Sequence, residues 1–336
     1  MQRILASVFV FSTLFGVQPA CRSTQAATTD IASRQSPLST LPVAERIKVP
    51  AGPGWLGVGF GSVWVSEIDS KMVLRIDPGT NHVIAKIPVG SDPELGVGIG
   101  AGFVWIADTT DHTISQIDPQ GNRVVRTIPV NVASDPEGSI AIDDGSIWIL
   151  TNEGDTDSGT LTRIDVTSGR VTANIAVRAK SHAVIVAFNS IWVTSTAAGT
   201  MSRIDPKTNS IVAEVSVHSL PRFLVASDDA IWVLSQGDGT LERVDPLTNT
   251  VVATVEVNVP GDGGDLAVGE HSVWVSGEHV PLTQIDPRNN RVVRQFVGGS
   301  KDDTMRVGFG SAWILFERTG RIWRIDLKKL DSQPSR

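Results

Sequence analysis

The chain reads Gly59-Phe60-Gly61-Ser62-Val63-Trp64-Val65 and, after a short polar stretch, Arg75-Ile76-Asp77-Pro78, and it repeats this pair of segments seven times with small changes. The repeated tryptophans are Trp64, Trp105, Trp148, Trp192, Trp232, Trp274 and Trp313. The repeated aspartates are Asp77, Asp118, Asp165, Asp205, Asp245, Asp286 and Asp326. Successive tryptophans lie 41, 43, 44, 40, 42 and 39 residues apart, so one structural unit recurs along most of the chain.

Each unit contains four short apolar stretches. In the first unit we predict strands over residues 56–60, 63–67, 72–76 and 82–89, because β-branched and aromatic residues suit a pleated surface. Between the last two, Asp77-Pro78 favours a tight turn, since the Asp side chain accepts backbone N–H groups and Pro presets φ. A period of about 40–45 residues built from short strands is typical of propeller blades. The sequence therefore predicts an all-β, seven-bladed β-propeller of four-stranded antiparallel blades.

The seventh unit indicates how the ring closes. Its turn is replaced by Asp326-Leu327-Lys328-Lys329-Leu330, and the chain ends soon after. Residues 45–50, Glu-Arg-Ile-Lys-Val-Pro, are similar to the end of a fourth strand. We therefore predict that strand 45–50 joins the last blade and closes the ring, which removes the ends that a linear stack would expose. The propeller would span residues 45–330, followed by a tail over 331–336.

The N-terminal segment is predicted to be a targeting signal. A short positive start precedes the apolar run 4–17, which suits a signal peptide over residues 1–20. Cys21, the only cysteine, follows at once and is similar to the lipidated cysteine of a bacterial lipoprotein, although Gln18 stands where an aliphatic residue is usual. Ordinary cleavage near Ala20 or around residues 26–27 is the alternative. The polar residues 21–44 are predicted to form a flexible tether.

Composition and charge exclude several classes of function. The formal charge is −7, and no run of Lys or Arg suggests nucleic-acid binding. The sequence has no Gly-Xaa-Ser-Xaa-Gly elbow, phosphate-cradling loop or dinucleotide fingerprint, and the body has no cysteine nucleophile. We expect an exported monomer in the periplasm or cell envelope, or alternatively a secreted one. It would contact the membrane only through a lipid anchor.

The repeat resembles a known family. Ser62-Val63-Trp64-Val65, Arg75-Ile76-Asp77-Pro78 and the stretch 83–90, Val-Ile-Ala-Lys-Ile-Pro-Val-Gly, look like the YVTN propeller repeat, with tryptophan in place of its usual tyrosine. The resemblance covers residues 45–326. It implies the propeller fold and says little about function, because propellers serve many unrelated purposes.

A second resemblance, to streptogramin (virginiamycin B) lyases, suggests an enzymatic alternative. Those propellers carry a Trp-Phe-Thr-Glu stretch and use a metal-assisted His/Glu site. Here Trp64-Val65-Ser66-Glu67 keeps the glutamate, whereas the other repeats have different residues near that offset. The resemblance implies a divalent metal held by His182, Glu278 and His279, which are the candidate catalytic residues. No other cofactor is expected.

Residues that enter the innermost strands are the candidate ligand-binding residues, because such positions face the channel mouth. They are Trp55, Glu94, Glu137, His182, Arg222 and Asp265. Two identical Ser-Asp-Pro-Glu segments carry Glu94 and Glu137. A convergence of carboxylates, a histidine and an arginine would suit a cation or a polar ligand. The alternative is that Asp-Pro only forms a turn and the glutamates are solvated.

The sequence thus favours a propeller that binds a polar small ligand or an envelope protein. The metal-dependent lyase and a purely structural protein without a small ligand are the alternatives.

Overall fold

The computed structural model describes residues 31–50, 52–93, 96–133, 140–151, 158–261, 263–299, 303–316 and 319–333. Seven antiparallel blades of four strands form a ring around a central channel, which confirms the predicted seven-bladed propeller. None of the helices in these ranges has the length and apolar composition needed to cross a membrane.

The strands follow one another from the channel outward within each blade, except that the last blade takes its outer strand from the N-terminal segment. The N-terminal strands are β1 (Gln35–Pro37) and β2 (Val43–Lys48). Blades 1 to 3 consist of β3 (Pro53–Gly59), β4 (Ser62–Glu67), β5 (Met72–Asp77) and β6 (His82–Pro88); β7 (Val97–Gly100), β8 (Phe103–Asp108), β9 (Thr113–Asp118) and β10 (Arg123–Pro129); and β11 (Ile140–Ile142), β12 (Ser146–Thr151), β13 (Ser158–Asp165) and β14 (Val171–Arg178).

Blades 4 to 6 consist of β15 (Ser181–Ala187), β16 (Ser190–Ser195), β17 (Thr200–Asp205) and β18 (Ser210–Ser216); β19 (Pro221–Ala226), β20 (Ile231–Ser235), β21 (Thr240–Asp245) and β22 (Thr250–Glu256); and β23 (Gly264–Gly269), β24 (Ser272–Gly277), β25 (Val280–Asp286) and β26 (Arg291–Val297). Blade 7 consists of β27 (Asp303–Gly308), β28 (Ser311–Phe316), β29 (Arg321–Asp326) and β2, and the short helix α1 (Leu327–Asp331) follows β29.

The repeated tryptophan lies in the second strand of each blade, and all seven are completely buried. They fill the space between adjacent sheets, where an aromatic side chain removes a large apolar area from water. The indole N–H still needs an acceptor: in Trp64 it donates to the Gly59 carbonyl at 3.0 Å, and in Trp192 to the Ala187 carbonyl at 3.1 Å. The tryptophan therefore stabilises both the interface between blades and the turn before its own strand.

Arginine side chains tie neighbouring blades together through the Asp-Pro turns. In β17, Arg203 Nη1 donates to the Pro246 carbonyl at 2.6 Å and to Asn249 Oδ1 at 3.0 Å, both in the next blade. Its guanidinium also lies 5.1 Å from the centroid of the Trp192 ring. The same two bonds to a proline carbonyl and an asparagine of the next blade are made by Arg75, Arg163, Arg243 and Arg324. We call this contact the arginine clamp.

Where the arginine is absent, the turn that it would contact has changed as well. Gln116 replaces it in blade 2, and the next turn, residues 165–169, lacks both the proline and the asparagine. There Arg126 of the outer strand donates to the backbone carbonyls of the altered turn. In blade 6, Gln284 replaces the arginine, and Arg294 donates to a carbonyl of α1 instead. The arginine and the Asp-Pro turn of the following blade thus form one structural unit.

Closure of the ring follows the predicted route. Strand β2 pairs antiparallel with β29, with Arg46 opposite Trp323 and Lys48 opposite Arg321. The strand spans residues 43–48, close to the predicted 45–50. Since Arg324 also clamps the turn of blade 1, the two ends of the chain are joined both by a shared sheet and by side-chain bonds.

From Ile31 onward the predicted tether is ordered, which differs from the flexible segment expected over residues 21–44. Strand β1 pairs parallel to β26, and Gln35 Nε2 donates to Gln295 Oε1 at 2.8 Å. Leu41 is buried with residues of the last two blades. This packing could not be predicted from the polar composition, because only a few apolar side chains anchor the segment. Cys21 and the proposed signal peptide lie outside the described residues.

Glycine lets the inner strands approach one another around the channel. A Cβ atom on Gly57 would lie 2.5 Å from Val97 Cγ1 of the next blade, and one on Gly308 would lie 2.5 Å from Val58 Cγ1. Neither distance leaves room for a side chain. Glycine at these positions therefore lets a valine side chain of the neighbouring inner strand pack directly against the backbone.

Candidate functional site

A cavity of about 270 Å³ lies where the seven inner strands converge. Every blade contributes to its wall, and most of the wall is aliphatic. The lining residues with aromatic or charged side chains are Trp55, Phe223, Asp265 and Arg306. A small, mainly apolar cavity with few polar groups has the composition of a ligand site. We refer to it as the funnel.

The charged pair in the funnel joins two neighbouring blades. Asp265 on β23 is 3% exposed and forms an ion pair with Arg306 on β27. The carboxylate also accepts the backbone N–H of Leu266 at 2.7 Å and that of Met305 at 3.0 Å. Burial raises the pKa of the Asp265 carboxyl, whereas the Arg306 charge acts in the opposite direction. All of its contacts are with donors, so its oxygens are already satisfied.

Arg306 is held in place by three neighbours. Its Nη1 group donates to Asp265 and to the Met305 carbonyl. Its guanidinium carbon lies 5.7 Å from the centroid of the Trp55 ring, a distance suitable for a cation–π contact. The side chain is 28% exposed, so part of the guanidinium remains accessible from the funnel.

Aromatic side chains extend from Trp55 along the wall of the funnel. The ring centroids of Trp55 and Phe223 lie 6.1 Å apart, and those of Phe223 and His182 lie 5.5 Å apart with an edge-on geometry. His182 is 8% exposed. Arg222 Nε donates to His182 Nε2 at 3.3 Å, which requires the unprotonated nitrogen as acceptor. The histidine therefore packs against Phe223 and accepts a hydrogen bond from Arg222.

The structure brings together four of the six predicted binding residues. Trp55 and Asp265 line the funnel, and His182 and Arg222 contact each other beside it. Glu94 and Glu137 lie outside the described residues. Two further residues of the funnel were not predicted from the sequence, namely Phe223 and Arg306. The predicted positions lie near the start of each inner strand, whereas Arg306 lies deeper, directly opposite Trp313.

The candidate catalytic residues Glu278 and His279 lie in an exposed loop, unlike the buried His182. The His279 side chain is 72% exposed, and its Nε2 lies 3.5 Å from Glu278 Oε1. Its Nδ1 lies 3.2 Å from the Gly299 carbonyl, in a loop contact. Within the described ranges, no three His, Cys, Asp or Glu side chains are arranged to hold a metal ion.

Glu67 is a buried carboxyl whose pKa is raised. It ends β4 and is completely buried, and burial raises its pKa to about 7. Ser70 Oγ donates to its Oε2 atom at 3.2 Å, while Oε1 has no hydrogen-bond partner among the described residues. A carboxyl in this state can hold a proton near neutral pH.

The fold and the funnel define the protein as a seven-bladed β-propeller, and the comparison with solved structures agrees. The chain is similar to hydrazine synthase from Kuenenia stuttgartiensis, with a TM-score of 0.69 and 14% identity over 85% of this chain and 96% of that one. It is similar to the β-propeller domain of Cps50 (Swd1) from Myceliophteria thermophila, with a TM-score of 0.69 and 14% identity over 85% and 99%. No protein-family model matches the sequence. No curated protein matches it either.

Proposed function

We propose that the protein is an exported β-propeller of the bacterial cell envelope. Its funnel would bind a polar small ligand or a side chain of an envelope protein. The observation that carries the proposal is the cavity at the centre of the ring, to which every blade contributes. The ion pair of Asp265 and Arg306 gives this cavity a charged group, which a channel filled only with apolar side chains would lack. A rigid ring of this kind suits a scaffold that presents a fixed site.

Filling the funnel tests the proposal directly. Val225 lines the cavity, so Val225→Trp should occupy the space that a ligand needs. The matched control is Val212→Trp, the same change at a residue that is 55% exposed on the outer rim. We expect a fragment screen by ligand-observed NMR to yield compounds that bind the wild type and the control but not Val225→Trp. Ligands that bind all three proteins equally would contradict a funnel site.

The location of the protein requires a separate test. Cell fractionation with labelled palmitate should place the wild type in the membrane fraction and label it if Cys21 is lipidated. Cys21→Ser should then appear unlabelled in the soluble envelope fraction. An unlabelled wild type in the periplasm or medium would favour ordinary signal cleavage, and recovery in the cytoplasm would contradict export.

The arginine clamp supports kinship with the YVTN-type propellers, which we also propose. The tryptophan, the arginine and the Asp-Pro turn recur together and contact one another, so the repeated segments act as a unit rather than as unrelated matches. The lyase alternative has no comparable support. Elemental analysis of the purified wild type, His182→Ala and His279→Ala tests this alternative. A stoichiometric divalent ion in the wild type that is lost in both variants would support the lyase.

A further inference from the structure

We infer that the ligand of the funnel is a compact carboxylate with an apolar or aromatic body, and that Arg306 binds its carboxylate group. This inference rests on the proposed function, since it concerns the same cavity. It also narrows the cation or polar ligand that the sequence suggested to an anion, because the described side chains leave donors rather than acceptors open to the funnel.

The Asp265 carboxylate, the charged acceptor of the funnel, already accepts hydrogen bonds from the protein. Asp265 receives the Leu266 and Met305 amides together with the Arg306 guanidinium, and it is nearly inaccessible. A cation entering the funnel would have to compete with the arginine for this carboxylate. If Asp265 instead bound a proton, as its raised pKa favours, the positive charge of Arg306 would be less compensated. Both protonation states therefore leave the funnel better suited to an anion.

The Arg306 guanidinium uses only some of its N–H groups in hydrogen bonds with the protein. A guanidinium carries five N–H groups. The bonds of Arg306 to described residues all come from Nη1, so its Nε and Nη2 groups remain for a ligand. These groups form a planar edge that matches the two oxygens of a carboxylate. Trp55 and Asp265 hold the guanidinium in a fixed orientation, which lowers the entropy lost when a ligand binds.

The remaining wall determines the rest of the ligand. It consists mainly of Val, Ile, Leu and Ala side chains, with Phe223 as the aromatic surface. A volume of about 270 Å³ lies just below the range of about 300–1,000 Å³ that is usual for ligand pockets, so the ligand is small. A carboxylate bearing a single ring or a short branched chain fits this volume.

Three probes of similar size and different charge test the inference on the full chain, and benzamide is the neutral isostere of benzoate. Benzoate, benzylamine and benzamide each contain a ring with one polar substituent, and ligand-observed NMR titration gives their Kd values. We expect benzoate to bind about tenfold more tightly than either of the others, which corresponds to about 1.4 kcal/mol. Val225→Trp should abolish the binding of benzoate.

The paired variant Asp265→Asn/Arg306→Gln removes both charges without leaving either one buried alone. We expect it to lose the preference for benzoate and to retain weak binding of benzamide. The control, Arg178→Gln/Glu214→Gln, removes an exposed ion pair from the outer rim and should behave as the wild type. If the paired variant does not fold, Arg306→Lys serves in its place, because it keeps the charge but loses the planar edge. It should weaken benzoate and spare benzamide.

The outcomes separate this inference from the proposed function. Tighter binding of benzylamine than of benzoate, with both lost in Val225→Trp, would overturn the carboxylate and leave the funnel as a ligand site. Unchanged benzoate binding in the paired variant or in Arg306→Lys would overturn the role of Arg306. If Val225→Trp affected no probe, both the inference and the proposed function would fail.

Discussion

Arg203 illustrates how a single side chain connects two blades, and its removal gives the first prediction. Arg203→Gln would lose the bonds to Pro246 and Asn249 and the contact with Trp192. Leaving a partly buried carbonyl without a donor costs about 1–3 kcal/mol. We expect the free energy of unfolding, measured in urea, to fall by about that amount. Arg170→Gln changes an exposed arginine and should have little effect. Equal losses in the two variants would contradict the clamp.

Glu67 gives a prediction about pH. Its pKa rises from 4.5 to about 7 on folding because the side chain is buried. Since the folded protein binds this proton more tightly, the resulting stability is fully present below about pH 4.5 and is lost as the pH rises through about 7. Glu67→Gln cannot ionise. The variant should therefore gain about 1–3 kcal/mol relative to the wild type between pH 5 and pH 8.

Urea unfolding at pH 5 and pH 8 measures this difference. Glu45→Gln, at an exposed glutamate of β2, is the control and should show no comparable change between the two pH values. The contrary result is that the free energies of unfolding of the wild type and of Glu67→Gln differ by the same amount at both pH values. That result would mean that Glu67 is already ionised in the folded protein at pH 5.

The sequence contains a signal for the clamp that strand periodicity alone does not reveal. Arginine precedes the Ile-Asp or Val-Asp pair where the next blade has an Asp-Pro turn, and glutamine occupies that position in Gln116 and Gln284. Comparing each repeat with its successor would have predicted this contact. Arg306 belongs to no repeated pattern, and its signal is a departure from the repeat, because the other repeats carry Gly or aliphatic residues at its position, as in Gly57 and Ile185.

At the scale of the element, the inner strand β3 shows why glycine recurs next to the channel. Gly57→Ala would place a methyl group 2.5 Å from Val97 Cγ1. Such overpacking costs about 1–3 kcal/mol, and we expect a loss of stability of that size in thermal or urea unfolding. The double variant Gly57→Ala/Val97→Ala should recover part of the loss, because it removes the obstructing methyl groups.

Gly145→Ala provides the control for this substitution. Its added methyl group would meet nothing closer than Asp143 Oδ1 at 3.8 Å. We expect little change in stability. If Gly57→Ala were as harmless as Gly145→Ala, the inner strands would have more freedom to separate than their packing indicates.

Strand order and strand boundaries could be predicted because each blade repeats the same apolar stretches and turn. In blade 1 the predicted 63–67 and 72–76 match β4 and β5 within one residue. Strand β1 could not be predicted in the same way. It has only three paired residues and contains Gln35 and Ser36, and its position depends on the edge of β26 rather than on its own composition. Contacts between distant segments leave no periodic pattern.

For the whole molecule, closure of the ring should depend on β2 far more than on β1. Strand β2 covers the edge of β29, where Ile322 and Ile325 are completely buried, and Ile47 of β2 is 7% exposed. Strand β1 adds only three parallel pairs outside a blade that is already complete. The two N-terminal strands can be removed one after the other, so their contributions can be separated.

We predict that a protein of residues 43–336 keeps a cooperative thermal transition a few degrees below that of residues 31–336, whereas residues 49–336 lose it or aggregate. The reason is that an open ring exposes the edge of β29, which can pair with other molecules. A synthetic peptide of residues 41–50 should restore the transition of the shortest protein when added in excess. Equal melting temperatures for residues 43–336 and 49–336 would show that β2 is not needed to close the ring, and that direct contacts between blades 7 and 1, such as that of Arg324 with Asn81, are sufficient.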